Sequence, residues 1–164
     1  MNKLLTGILV ASAIAVGRPA AAAPPQQQSF SVTFDLATPD EPGVVYAEGP
    51  ITGVGTVIAS ERDTGNAFHE TETFVFGGGT LAVRANDVNT SVMFDPASCT
   101  VVYTFKGNFS ITGGTGDFAA ARGHGHFAGR STINFTPDPN SAEGCDFDHM
   151  SGTIHGEALG KVQL

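Results

Sequence analysis

The chain has no tryptophan, only two tyrosines and two cysteines, and its eight Lys and Arg residues face 16 Asp and Glu. The net charge of −8 repels a phosphate backbone, so nucleic acid is not an expected partner, and an anionic membrane surface is disfavoured for the same reason. Cys99 and Cys145 lie too far apart for a C-x-x-C redox motif. No serine occupies a nucleophile elbow with His and Asp at triad-like spacing. Beyond the N-terminus no window carries a 3.6-residue apolar period, which removes helical folds. The one apolar run falls short of the roughly 20 residues that a membrane-spanning helix needs.

What is present is glycine and phenylalanine, 21 and 12 residues of 164, at a mean hydropathy of +0.04. That length suits one domain with a sizeable core. The start reads as an export leader at 1–22. Lys3 supplies the positive region, Leu4 to Val16 the apolar region, and Ala20-Ala21-Ala22 the small-residue cleavage site, with cleavage expected after Ala22 or Ala23. Loss of Lys3 and Arg18 leaves the exported chain more acidic still. The expected location is secreted, extracellular or periplasmic, and there Cys99 and Cys145 are expected to form a disulfide. Closing so long a loop is worth about 4 kcal/mol in chain entropy.

Residues 23–29, with Pro24, Pro25 and three glutamines, read as a flexible linker, and 30–164 as one domain. From Phe30 a two-residue alternation sets in: Phe30, Val32, Phe34 and Leu36 against Ser31, Thr33 and Asp35. Further strands are expected at 44–47, 51–59, 67–76, 80–85, 90–94, 100–111, 123–128, 132–135 and 151–162. Turns are expected at Asp40-Glu41-Pro42-Gly43, Asp63-Thr64-Gly65-Asn66, Gly77-Gly78-Gly79 and Asn86-Asp87, with a loop at 136–148. Strands at this spacing, without helices to cover them, predict an all-β fold. The simplest form is a closed antiparallel β-barrel of about eight strands, because closure hides the apolar face and removes the edges.

The sharpest local pattern is Gly107-Asn108-Phe109-Ser110-Ile111-Thr112-Gly113-Gly114-Thr115-Gly116-Asp117-Phe118-Ala119-Ala120-Ala121-Arg122-Gly123. It reads as strand, glycine turn, short coil and strand, with Gly113, Gly114 and Gly116 free to take positive φ and Phe118 as a plug beneath the turn. A phosphate loop is disfavoured, since neither a lysine nor a long helix follows. This turn, through Gly113, Gly114, Thr115, Gly116, Phe118, Ala121 and Gly123, resembles that of the allene oxide cyclase and dirigent-protein superfamily. The loose strand pattern from Phe30 to Leu164 is similar as well, and uncharacterised secreted bacterial proteins carry related turns. The resemblance implies an eight-stranded, calycin-like barrel with an apolar cavity, in which those families steer ring closure or radical coupling of a reactive molecule.

The residues themselves offer candidates. Glu70 and Glu72 share a strand face with Phe68, Phe74 and Phe76; inside a lumen, about 7 Å apart, they could act as acid and base. The alternative turns His69, Thr71, Thr73 and Val75 inward. Arg122 shares a face with His124 and His126 and could bind a carboxylate or phenolate at the mouth; a metal on the two histidines is the weaker reading, so no metal or cofactor is expected. Phe34, Tyr103, Phe105 and Phe109 are the expected ligand-binding wall. Three functions compete: a binder of one small apolar molecule, a cyclase or isomerase, and a structural or interaction protein with a filled barrel. Self-association stays open.

Overall fold

The computed structural model describes residues 23–63 and 68–164. The leader and the tip of the turn after Asp63 lie outside the described residues. Eight strands follow one another as an antiparallel meander: β1 (Gln26–Asp35), β2 (Gly43–Glu48), β3 (Gly53–Asp63), β4 (Phe68–Phe76), β5 (Gly79–Asp95), β6 (Thr100–Gly114), β7 (Arg122–Pro137) and β8 (Cys145–Gln163). Pairing of β1 with β8, from Gln26 opposite Val162 to Asp35 opposite Thr153, closes the barrel. The expected all-β closed barrel is therefore the fold. Closure leaves the first and last strands no unpaired edge over this span.

Four boundaries differ from the sequence expectation. The flexible linker is shorter, because β1 already starts at Gln26. Gln28 is only 2% exposed: its Nε2 donates to the carbonyls of Glu48 (3.0 Å) and Ile51 (3.0 Å), and its Oε1 accepts from Ile51 N–H (2.9 Å). This side chain stitches the β2–β3 turn to β1, so a glutamine that reads as linker is core. The Asn86-Asp87 turn is instead a register shift between Asp87 and Asn89, and one strand runs through it. Likewise 123–128 and 132–135 merge into β7, and much of the expected 136–148 loop is strand, since Thr136 pairs with Asp146 and Pro137 with Cys145.

Glycines permit the aromatic packing. A Cβ on Gly107 would lie 2.6 Å from the Phe127 ring, one on Gly125 2.5 Å from Phe109, and one on Gly43 2.6 Å from Phe34. Gly129 likewise yields to Phe105 and Gly55 to Phe76. Each ring lies across the bare backbone of a neighbouring strand, which is how a narrow barrel accommodates this many phenylalanines.

The barrel has unlike ends. At one, the β4–β5, β2–β3 and β6–β7 turns meet over a solid plug. Ile51, Leu81, Ile111, Ala121 and Val162 are all at most 3% exposed, and Phe76 meets Phe118 edge-to-face with centroids 5.9 Å apart. The glycine turn, with its single 3-10 turn Gly116–Phe118, docks here. Thr115 N–H donates to Thr80 O (2.9 Å), Asp117 N–H donates to Gly78 O (2.9 Å), and Thr115 Oγ1 accepts from Thr80 N–H (3.1 Å). Gly79 and Gly116 sit at φ +147° and +58°, and a Cβ on either would strike the facing carbonyl. At the other end β5 to β8, 15 to 19 residues long, outrun the 6 to 11 residues of β1 to β4 and form a projecting wall. The Cys99–Cys145 disulfide, Cα–Cα 5.7 Å, ties the β5–β6 turn of that wall to the start of β8.

Candidate functional site

Strand alternation carries a fixed set of side chains into the lumen. On β4, Glu70, Glu72, Phe74 and Phe76 point inward; register places Glu72 opposite Val83 and Phe74 opposite Leu81, both buried core residues. On β6 the inward set is Tyr103, Phe105, Gly107 and Phe109, and on β7 it is Phe127, Gly129 and Ser131. Below Phe30, Phe74 and Phe109, whose rings touch edge-to-face at 5.3 and 6.2 Å, packing is solid toward the plug. Above them a cavity of about 150 Å³ remains, open toward the mouth.

Phe30, Phe34, Phe105, Phe109 and Phe127 line it, and Tyr103 stacks on Phe105 at 5.7 Å. The four residues expected as the ligand wall, Phe34, Tyr103, Phe105 and Phe109, all border this space. Phe118 does not; it belongs to the plug, so the barrel is filled at one end and hollow at the other.

Polar groups gather on one side. Glu70 and Glu72 enter from β4, and Asp87 enters from β5 just before the register shift. Burial, reinforced by the charge of Glu70, pushes Glu72 from 4.5 up to about 8. At neutral pH this carboxyl therefore holds its proton. Asp87 is also raised by burial, partly offset by the Tyr103 hydroxyl, which donates to its Oδ2 at 3.4 Å. Across the cavity, Ser131 is 2% exposed and its Oγ has no hydrogen-bond partner among the described residues. No Lys, Arg or His is among the described residues that line the cavity.

Arg122 does not join this group. It stands exposed on the outer face, donates to its neighbour Ala121's carbonyl at 2.6 Å and covers Gly113 of the glycine turn. The reason is phase: Gly123, Gly125 and Phe127 take the inward positions of β7, leaving Arg122, His124 and His126 outside. His126 bonds Asn108 Oδ1 at 2.7 Å on that surface. Among the described residues no three His, Cys, Asp or Glu side chains converge as metal ligands do.

Sequence reasoning missed Asp87 and Ser131. Ser131 was findable, since it continues the alternation Phe127, Gly129, Ser131, Ile133. Asp87 was hidden because Asn86-Asp87 reads as a turn. Comparison of the chain with protein-family models, with curated proteins and with solved structures returned no match.

Proposed function

We propose that this protein is an exported barrel that holds one small apolar molecule in its lumen. The cavity of about 150 Å³, walled by phenylalanine and open at one end only, carries the reading. Apolar cavities of about 150 Å³ admit a molecule of roughly benzene size. Phenylalanine offers no hydrogen bond, so recognition rests on shape plus the few polar groups of the β4–β5 side. The disulfide and the leader-like N-terminus support export. The likeness of the glycine turn to that of allene oxide cyclases and dirigent proteins supports a lumenal site.

Calorimetric titration with single-ring compounds tests this, beside a variant whose lumen is filled. Gly156→Leu suits the purpose: a Cβ there has Phe105 as its nearest neighbour at 3.8 Å, so the added side chain enters open space. Binding to the native protein, lost in the variant while the strand circular-dichroism signal persists, is the expected result. Binding by neither protein, or equally by both, removes the reading.

Glu72 favours a second reading. A carboxyl that holds its proton at neutral pH, beside a second carboxyl in a phenylalanine-walled cavity, is equipped to move a proton on a bound substrate during ring closure or isomerisation. Turnover of such a substrate would then fall as pH rises past about 8 and would vanish in Glu72→Gln.

A further inference from the structure

The barrel closes on itself, but its projecting wall does not. Register pairs β4 with β5 only between Gly79 and Asn86. Over residues 90–95, β5 therefore has β6 on one side and no strand on the other among the described residues. We propose that this edge is an interface between two copies of the chain: residues 89–95 of β5 pair antiparallel with the same segment of a second copy, about a two-fold axis at Val92. The inference is independent of any guest in the lumen.

Three observations carry it. The edge is bare and apolar: every residue from 90 to 95 is exposed, and Val92, Met93 and Phe94 follow one another there, with Val92 at 63% and Met93 at 66% exposure. Backbone N–H and C=O groups left open beside such side chains are a template for another strand.

The edge also lacks the usual protection. The opposite border of the wall, on β8, is unpaired too over residues 146–151, because β1 pairs with β8 only as far as Thr153 and Leu36 N–H adds one bond to Gly152 O. That border carries Asp146, Asp148 and His149, charged and polar groups that deter an incoming strand. Between Asp87 and Asp95, β5 carries neither a charge nor a proline. In a chain of net charge −8, this is a place where two copies can meet without opposing acids.

The segment is, finally, complementary to itself. Directly opposed residues of an antiparallel pair share a sheet face, and a two-fold axis through the sheet preserves faces. The axis must then fall on a residue and not between two. At Ser91 it would set Asp95 against Asp87, a like-charge pair. At Met93 it would shorten the ladder to residues 91–95. At Val92, Asp95 falls opposite Asn89 of the partner subunit, and the exposed side chains meet: Val92 with the partner's Val92, Phe94 with the partner's Thr90, Met93 with the partner's Ser91. Thr90, Val92 and Phe94 oppose Phe105, Tyr103 and Val101 in register, so the concave face of the wall runs on from one copy to the next.

Sedimentation equilibrium of the disulfide-intact protein, at concentrations up to about 1 mM, tests this, because a single edge ladder is a small interface and its dimer is weak. A reversible monomer–dimer equilibrium is expected, with no larger species, since an isologous contact closes on itself. Val92→Lys brings two like charges together on the axis and should weaken the dimer at least tenfold. Val54→Lys changes a valine of similar exposure, 62%, at the plugged end of β3 and should leave the dimer unchanged. Val92→Cys should form an intermolecular disulfide on mild oxidation, because identical residues meet only on the axis. Ser91→Cys should not, because it falls opposite Met93. A native circular-dichroism spectrum is required of each variant, so that loss of folding is not read as loss of the dimer. A protein that stays monomeric throughout overturns the proposal and leaves the edge to a strand of another protein. A dimer that survives Val92→Lys, or that Val54→Lys weakens as much, overturns it too, as does cross-linking through Ser91→Cys but not through Val92→Cys.

Discussion

At the plugged end of the barrel Phe76 and Phe118 meet edge-to-face at 5.9 Å, with Leu81 and Ala121 beside them fully buried. At the mouth end Tyr103 and Phe105 stack at a similar 5.7 Å, yet leave a cavity between themselves and Glu72. The same alternating strands build both ends. What differs is what the alternation delivers. Toward the plug, β4 and β5 bring Phe74, Phe76, Leu81 and Val83, and the glycine turn folds its own phenylalanine underneath. Toward the mouth the same two strands bring Glu70, Glu72, Ala85 and Asp87, and no turn covers them. Carboxyl groups close a core poorly, because burying each of them costs desolvation. One end is therefore a foundation, and the other gives up stability to keep a polar space open.

The largest way to sharpen this contrast is truncation of one ring at each end. Phe76→Ala removes a buried ring from a packed plug and is expected to cost about 4 kcal/mol, whereas Phe105→Ala only widens an existing cavity and should cost about 2 kcal/mol. Equilibrium urea unfolding measures both; equal costs would mean the two ends are packed alike. Next, the double substitution Cys99→Ala with Cys145→Ala should lose about 4 kcal/mol. Because the bond ties only the projecting wall, hydrogen exchange should rise in the β5–β6 and β7–β8 hairpins and stay slow around Gly78 and Thr115.

A third prediction concerns pH. Folded, Glu72 keeps its proton up to about pH 8; unfolded, it ionises near 4.5. Between those values the folded state binds more protons, so its contribution to stability falls as pH rises through that window. Discounted for its partial exposure, the loss is on the order of 3 kcal/mol. Asp87, raised as well, acts in the same direction. Asp95, held low by the Ser98 hydroxyl and the Ala97 N–H, and Asp146, held low by His149, act oppositely and only in acid. Thermal unfolding from pH 4.5 to 8 should therefore show a falling Tm in the native protein and a flatter profile in Glu72→Gln. A Tm that rises throughout would contradict a buried, protonated Glu72. The smallest effect is expected from Ser131→Ala. Its hydroxyl has no partner among the described residues, so removal should change stability by less than about 1 kcal/mol or raise it slightly, unlike loss of a bonded buried group.

Much of the barrel was legible in the chain. Period-two alternation from Phe30 onward, glycines at the bends and the absence of helical stretches led to a closed all-β fold, and strand count and closure agree with it. The candidate site was half legible. Phe34, Tyr103, Phe105 and Phe109 follow from alternation, but β4 alternates in both phases, threonine and valine on one side and glutamate with phenylalanine on the other. Only pairing with Val83 and Leu81 on β5 decides that the glutamates share the inside. Gln28 was illegible because its value lies wholly in bonds to Glu48 and Ile51, some 20 residues away. The strand breaks expected at Asn86-Asp87 and between Ala128 and Thr132 failed because long-range ladders override local turn preference.

The sequence by itself determined the class of fold and the parity of each strand, since side chains two apart must share a face and glycine must stand wherever a ring crosses the backbone. Only the tertiary structure decided which parity was inside, which end was sealed, and that carboxyls from two strands face one apolar cavity. Those facts depend on register and closure between residues distant in the chain, which no local pattern encodes.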